Sequence, residues 1–270
     1  MDSAIRARLE AAGYTYLGQE NKGRYCHGMV TLCTDLPAMR FLREEYLLRI
    51  FFNAKVRKGH AFTYSELKPM TGAKSAESAS RLYAQLHWLA GRQILLRGYS
   101  LHCPVCDLDV WYDLASVGEF TTCQGCRSAI QLPLEAAFSF RLNQLFIEGM
   151  KQGAATVLLT ALRLYESSPA AFVWQSGVRA KKHGQETEID LVALCGERLV
   201  VAECKDNFED DTALHDQLRR TTDVARDIDA TEFIFASLRE GELEAIQALR
   251  GIEALTRWSR ALLLRGESSV

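Results

Sequence analysis

Asp190, Glu203 and Lys205 form the set of side chains best suited to catalysis. They lie in Thr187–Cys195 and Arg198–Lys205, two mostly apolar runs separated by Gly196-Glu197, which read as strand, two-residue turn and strand. A glycine first in a two-residue loop favours a type II′ turn. If Cys195 pairs with Arg198, Asp190 falls opposite Glu203. Strand alternation then puts Glu203 and Lys205 on one face and Cys204 on the other. Two facing carboxylates repel each other, and apolar surroundings make their charge more costly. A divalent cation held between them removes that penalty, and Mg2+ (or Mn2+) prefers such oxygen ligands together with water and phosphate. Lys205 could orient an attacking water and offset charge building on a phosphate. Together these roles make up metal-assisted phosphodiester hydrolysis. The competing reading is a charged edge pair on an ordinary α/β sheet. Glu-x-Lys also occurs at 20–22 and 66–68, but only at 203–205 does it lie in an apolar strand facing an aspartate.

A second constellation is Cys103-Pro-Val-Cys106 and Cys123-Gln-Gly-Cys126, two C-x2-C pairs sixteen residues apart. A two-residue gap lets one tight turn aim two thiolates at one point, and two such turns supply the sulfur tetrahedron that Zn2+ accepts. Asp109–Asp113 and Glu119–Thr122 between them read as strands, which resembles a zinc ribbon. Four thiolates leave no open coordination position, so this Zn2+ is expected to be structural. A disulfide framework among the eight cysteines is the weaker reading, and a redox dithiol lacks its usual setting.

Other elements are expected around these two sites. Residues 1–37 are given no function, although Tyr25–Leu32 reads as a strand. Residues 38–101 form a basic, mainly helical module. It comprises a helix over Met39–Lys58, a second opened by the capping box Thr63-Tyr-Ser-Glu66 and stopped by Pro69 and Gly72, and a third over Ser75–Gln93. Two short strands around Gly98 follow. Three helices and a small hairpin make a winged-helix arrangement that would present Lys74, Arg81 and Arg92 to DNA; a plain packing module is the alternative. Residues 102–134 are the ribbon, and residues 135–270 carry the hairpin. In that last part a long helix is expected over Phe138–Glu166, a first strand at Ala171–Trp174, a helix over Asp211–Asp227 and a further strand at Glu232–Ala236.

The net charge of −2 hides an asymmetry. Ala38–His102 holds 11 lysines and arginines against 4 acids, whereas the chain from Cys103 onward holds 17 against 26. A basic module ahead of a carboxylate-rich one suits a nucleic-acid-binding arm joined to a catalytic domain. The longest near-apolar run, Ala154–Leu162, is too short to span a bilayer. With no secretory leader legible, a cytoplasmic location and no membrane partner are expected.

The hairpin resembles the PD-(D/E)xK nuclease superfamily: Asp190 matches the first acid, and Glu203 and Lys205 match the Glu-x-Lys, with Ile189 standing where the superfamily has proline. The resemblance covers about half of the chain, from Leu134 to Leu264. It implies an α/β, restriction-endonuclease-like mixed sheet flanked by helices, behind the winged-helix-like module and the ribbon. It also implies a Mg2+-dependent endonuclease acting on DNA, with double-stranded DNA as the expected partner and a place in restriction, phage defence or repair. A homodimer, or membership of a larger defence complex, belongs to the same implication. Family members often carry a metal-orienting acid on the preceding helix, and Glu148 is the best match; a solvated helix residue is the alternative. Gln217 resembles the glutamine of a Q-x-x-x-Y motif, with Thr221 in place of the tyrosine. Arg179, Lys181, Lys182 and His183 lie on the approach to the hairpin and could hold phosphates, or belong to a solvated loop. The alternative function is a non-catalytic nucleic-acid- or protein-binding factor that keeps a nuclease-like fold as scaffold.

Overall fold

The computed structural model describes residues 3–72, 75–206, 212–238 and 259–263. The chain divides into two compact units, residues 1–45 with 151–270 and residues 46–150. In chain order the elements are α1 (Ser3–Ala11), β1 (Thr15–Gln19) and α2 (Asn21–Cys33), then α3 (Glu45–Phe51), α4 (Ala54–Arg57), β2 (Phe62–Thr63), α5 (Tyr64–Thr71) and α6 (Ala76–Gly91). Next come β3 (Leu95–His102), β4 (Asp109–Asp113), β5 (Phe120–Thr122), β6 (Ala129–Gln131), β7 (Ser139–Leu142) and α7 (Gln144–Lys151). The chain ends with α8 (Ala154–Ser167), β8 (Phe172–Lys182), β9 (Gln185–Cys195), β10 (Arg198–Lys205), α9 (Thr212–Asp227), β11 (Glu232–Ser237) and β12 (Ser259–Leu263). Among the described residues no helix is long and apolar enough to cross a membrane.

The first unit is a mixed α/β layer structure. Its six-stranded sheet runs β1-β8-β9-β10-β11-β12. The β1-β8-β9-β10 part is antiparallel, while β10-β11-β12 is parallel. Two tight turns build the ribbon β8-β9-β10. His183-Gly184 turns with positive φ at both residues, 51° and 83°, which suits a type I′ turn. Gly196 turns at φ 64° with Glu197 on the negative side, as type II′ requires. Apolar residues of α1 and α9 (Ile5, Leu9, Leu218, Val224, Ala225) cluster with Val192, Val201, Phe233 and Phe235 of the sheet, burying one of its faces.

Residues 1–37, which carried no assignment, supply this sheet's edge strand and α2. The strand expected at Tyr25–Leu32 is part of that helix. Gly23, Cys26, Met29 and Cys33 are its buried residues, a helical spacing rather than an alternating one. The single helix expected over Phe138–Glu166 is instead β7, α7 and α8. Asn143 caps α7 by accepting from Leu145 N at 2.8 Å, and Gly153 at φ 78° separates it from α8.

In the second unit, α5 has the expected capping box at Thr63 and Glu66 and stops at Gly72 in the left-handed conformation. Ser75 caps α6. The helix expected over Met39–Lys58 is broken. Pro37 starts a 3-10 turn to Arg43, Glu44 is extended at ψ 106°, and Asn53 caps a new start at α4 by accepting from Lys55 N at 2.9 Å. The two short strands expected around Gly98 are one strand, β3. A Cβ at Gly98 would lie 2.0 Å from Tyr112 O and 2.6 Å from the Trp111 ring, so the glycine admits a close neighbour without breaking the strand. β3 pairs with β4 and β7 in a sheet ordered β2-β7-β3-β4. The boundary expected after residue 101 therefore runs through a continuous sheet.

Candidate functional site

The β9–β10 ladder has the expected register, from Arg198↔Cys195 to Ala202↔Leu191. It stops one residue short of Asp190 and Glu203, so the two acids are not a ladder pair. On the other side of β9, Ser176↔Leu191 and Val178↔Ile189 are paired, and Gly177 between them is at φ 58°. Regular pairing is thus interrupted on both sides of Asp190. The freed backbone group is satisfied by a side chain, because Cys204 N donates to Asp190 Oδ2 at 2.8 Å.

Asp190 is 2% and Glu203 1% exposed. Lys205 Nζ lies 2.7 Å from Glu203 Oε1. Thr221 Oγ1 donates to Glu203 Oε2 at 3.2 Å, and Gln217 Nε2 lies 3.5 Å from the same oxygen while donating to Glu188 O at 2.9 Å. Burial pushes the Glu203 carboxyl up, and the neighbouring Asp190 charge adds to it, against the pull of Lys205, leaving it at about 7. Burial works against the charged Lys205 ammonium, but Glu203 and then Asp190 more than offset it, so its pKa is raised. Glu188 is raised first by burial.

One member of the cluster was not legible in the sequence. Lys22, on the first turn of α2, donates to Asp190 Oδ1 and lies 3.8 Å from Glu188 Oε1. Its side chain is 16% exposed. Burial lowers its pKa, but the Asp190 charge and hydrogen bond outweigh burial and raise it. The carboxylate repulsion that a divalent cation was expected to relieve is already relieved in part by this contact. Glu188, Asp190 and Glu203 face two lysines, so the cluster carries one uncompensated negative charge when all five groups are ionised.

The backbone places Lys22 through its neighbour. A Cβ on Gly23 would lie 2.2 Å from Ser176 O, and one on Gly177 would lie 2.7 Å from Gly23 N. Glu20 N donates to Gly177 O at 2.7 Å, and Gln19 Nε2 donates to Ser176 O at 3.0 Å. Two glycines let α2 press on β8 beside Asp190. Lys22 belongs to a Glu-x-Lys that looked merely polar, and the glycine after it was the available clue.

The donor set suits a hard divalent cation. Glu203 is buried, and the Lys205 ammonium 2.7 Å from Oε1 is the partner of that oxygen. Asp190 and Glu203 supply the carboxylate oxygens that Mg2+ prefers.

Other sequence candidates are placed differently. Glu148 lies on α7 in the second unit, where Gln144 Nε2 donates to it at 2.9 Å. Arg179, Lys181 and Lys182 belong to β8 and not to a loop. Arg179 pairs with Glu20 at 2.9 Å and with Glu186. Lys182 pairs with Asp227 at 2.7 Å, and Lys181 is exposed. His183 is in the turn. Arg81 is exposed on α6, Arg92 stacks 4.0 Å from the Trp88 ring centre, and Lys74 lies outside the described residues.

The four ribbon cysteines come together, with all sulfurs within 4.8 Å of one another and none in a disulfide. Cys103–Cys126 and Cys106–Cys123 are each 3.6 Å apart. A tetrahedron with Zn–S of about 2.3 Å has edges of about 3.8 Å, so these spacings suit Zn2+. The two turns repeat one geometry: Asp107 N donates to Cys103 O and Arg127 N to Cys123 O, with Asp107 and Arg127 at φ 62° and 66°. A Cβ at Gly125 would meet only the end of the exposed Leu108 side chain, at 2.6 Å.

The chain is therefore a mixed α/β protein with a buried carboxylate–lysine cluster and a four-cysteine cluster consistent with Zn2+. No family model matches it, and no curated protein matches it in sequence. Among solved structures it is similar to protein VC1899 from Vibrio cholerae, with TM-score 0.47 and 11% identity over 96% of this chain and 57% of that one. It is also similar to Can2 from Sulfobacillus thermosulfidooxidans, solved in complex with cyclic tetra-adenylate, with TM-score 0.39 and 12% identity over 95% of this chain and 56% of that one. The chain thus spans just over half the length of either protein.

Proposed function

We propose that the first unit is a Mg2+-dependent nuclease of the PD-(D/E)xK kind, hydrolysing phosphodiester bonds, with double-stranded DNA as substrate. The observation that carries this reading is the pair of buried acids, Asp190 at 2% and Glu203 at 1% exposure, brought beside Lys205 where the strand ladder gives way. Asp190 and Glu203 would hold the ion, which supplies Lewis-acid polarisation of the phosphate and an acidified water. Lys205 orients the attacking water and offsets charge on the phosphate. Thr221 and Gln217 act through Glu203, fixing its second oxygen. The ribbon's Zn2+ is structural, and the basic residues of the second unit, Arg81 among them, hold nucleic acid.

The test is cleavage of duplex DNA, single-stranded DNA and RNA in Mg2+ or Mn2+ by the wild type and Asp190→Ala, with EDTA as control. Metal-dependent cutting that Asp190→Ala loses supports the proposal. Equal cutting by both proteins, or none by the wild type on any substrate, overturns it. A second reading, a non-catalytic binding scaffold, is favoured by one observation: Lys22 already neutralises Asp190. That reading expects no cutting and no cation binding at Asp190.

A further inference from the structure

We infer that Lys22 is an internal competitor for the divalent-cation site: its ammonium holds the Asp190 oxygen that the ion needs, and must leave when the ion binds. This inference rests on the proposed metal site and adds a residue that sets its affinity.

Asp190 has two oxygens. Oδ2 is committed to Cys204 N at 2.8 Å, a contact that fixes the carboxylate against β10. Oδ1 makes no backbone contact and is the more open of the two to a cation, and Lys22 Nζ is on it. An ammonium and a divalent ion on one oxygen exclude each other by size and charge, since at a few ångströms their repulsion is large even at an effective dielectric of about 20. Lys22 is nevertheless not locked in. Its side chain keeps 16% exposure and ends a flexible four-carbon stem, so the ammonium can swing toward solvent. Its backbone cannot follow, because Gly23 is wedged against Ser176 and Gly177. The exchange is thus a side-chain rotation on a fixed anchor. The released ammonium stays beside the site, free to meet an anionic substrate.

A lysine in this place lowers apparent metal affinity by the fraction of molecules in which Asp190 is occupied. Its benefit is the metal-free fold, because an uncompensated buried carboxylate is strongly destabilising.

Calorimetric titration of Mn2+ into the full-length wild type and Lys22→Met tests this. The variant is expected to bind Mn2+ at least about tenfold more tightly, and to unfold at lower temperature in EDTA with a larger recovery on adding Mn2+. A second measurement uses only the wild type, in case the variant does not fold. Lysine acetylation by an N-hydroxysuccinimide ester, read by peptide mass spectrometry, should label Lys22 poorly in EDTA and several-fold faster in Mn2+, with the exposed Lys181 unchanged. A wild type that binds Mn2+ with unaltered Lys22 labelling, or a folded Lys22→Met with unaltered Mn2+ affinity, overturns this inference and leaves the metal site standing. A wild type that binds no Mn2+ overturns both.

Discussion

Asp190 Oδ2 accepts the backbone N–H of Cys204 at 2.8 Å, so the carboxylate completes a strand ladder that has just ended at Leu191–Ala202. The side chain is held by the strand that carries Glu203, which fixes the two acids relative to each other without a direct cross-strand pair. Asp190→Asn keeps the shape and can still accept from Cys204, but it loses the charge that Lys22 faces. Folding should survive this change better than Asp190→Ala, which leaves both the N–H and the ammonium without their partner. Urea unfolding in EDTA should separate the two variants by about 1–3 kcal/mol; equal losses would contradict a structural role for that hydrogen bond.

Glu203 gives a pH signature. Its carboxyl is raised to about 7 by burial, then by Asp190, against Lys205 and Lys22. The folded protein therefore binds more protons than the unfolded chain between the ordinary carboxylate range and about pH 7. Stability from this group is full below that window and is lost as pH rises through it. In metal-free protein the difference in unfolding free energy between wild type and Glu203→Gln should shift against the wild type from pH 4.5 to 7.5. Mn2+ binding should strengthen over the same range, because the ion displaces the proton. A pH-independent difference in urea unfolding would contradict the raised value.

Gly23→Ala tests the seat of α2. The added methyl would lie 2.2 Å from Ser176 O, so either the helix shifts or β8 does. A loss of about 1–3 kcal/mol is expected by thermal or urea unfolding, with increased Lys22 labelling in EDTA. Unchanged stability would mean the close approach is not maintained in solution.

The ribbon should contain one tightly bound Zn2+ per chain, measurable by elemental mass spectrometry. Cys103→Ser or Cys123→Ser should lose the ion and much of the second unit's folding, because in such small modules metal binding supplies folding free energy. Full zinc retention in either variant would contradict a four-thiolate site.

How much of this was legible in the sequence depended on how local the causes were. The β9–β10 register followed from one turn and two apolar runs, and the structure has it from Arg198↔Cys195 onward. The cysteine cluster followed from spacing alone. The capping box at Thr63 is likewise a local pattern. What was missed lies far apart in the chain or depends on breaks. Lys22 meets Asp190 across 168 residues, and only Gly23 beside it hints that this stretch packs closely on another element. The strand expected at Tyr25–Leu32 failed because a short apolar run fits both periods, and Gly28 and Thr31 mask the helical one. The helices expected over Met39–Lys58 and Phe138–Glu166 ignored Asn53, Asn143 and Gly153, each of which caps or breaks a helix. Glu148 was singled out on the strength of that second, uninterrupted helix.

In the proposed function Asp190 and Glu203 together hold a divalent cation. Crystals of the full chain soaked in Mn2+ and measured at the manganese absorption edge test it directly. One anomalous peak is expected within about 2.2 Å of an oxygen of each acid, with Lys22 moved off Asp190. A protein that crystallises with Mn2+ elsewhere, or nowhere, while Lys22 remains on Asp190, would contradict it.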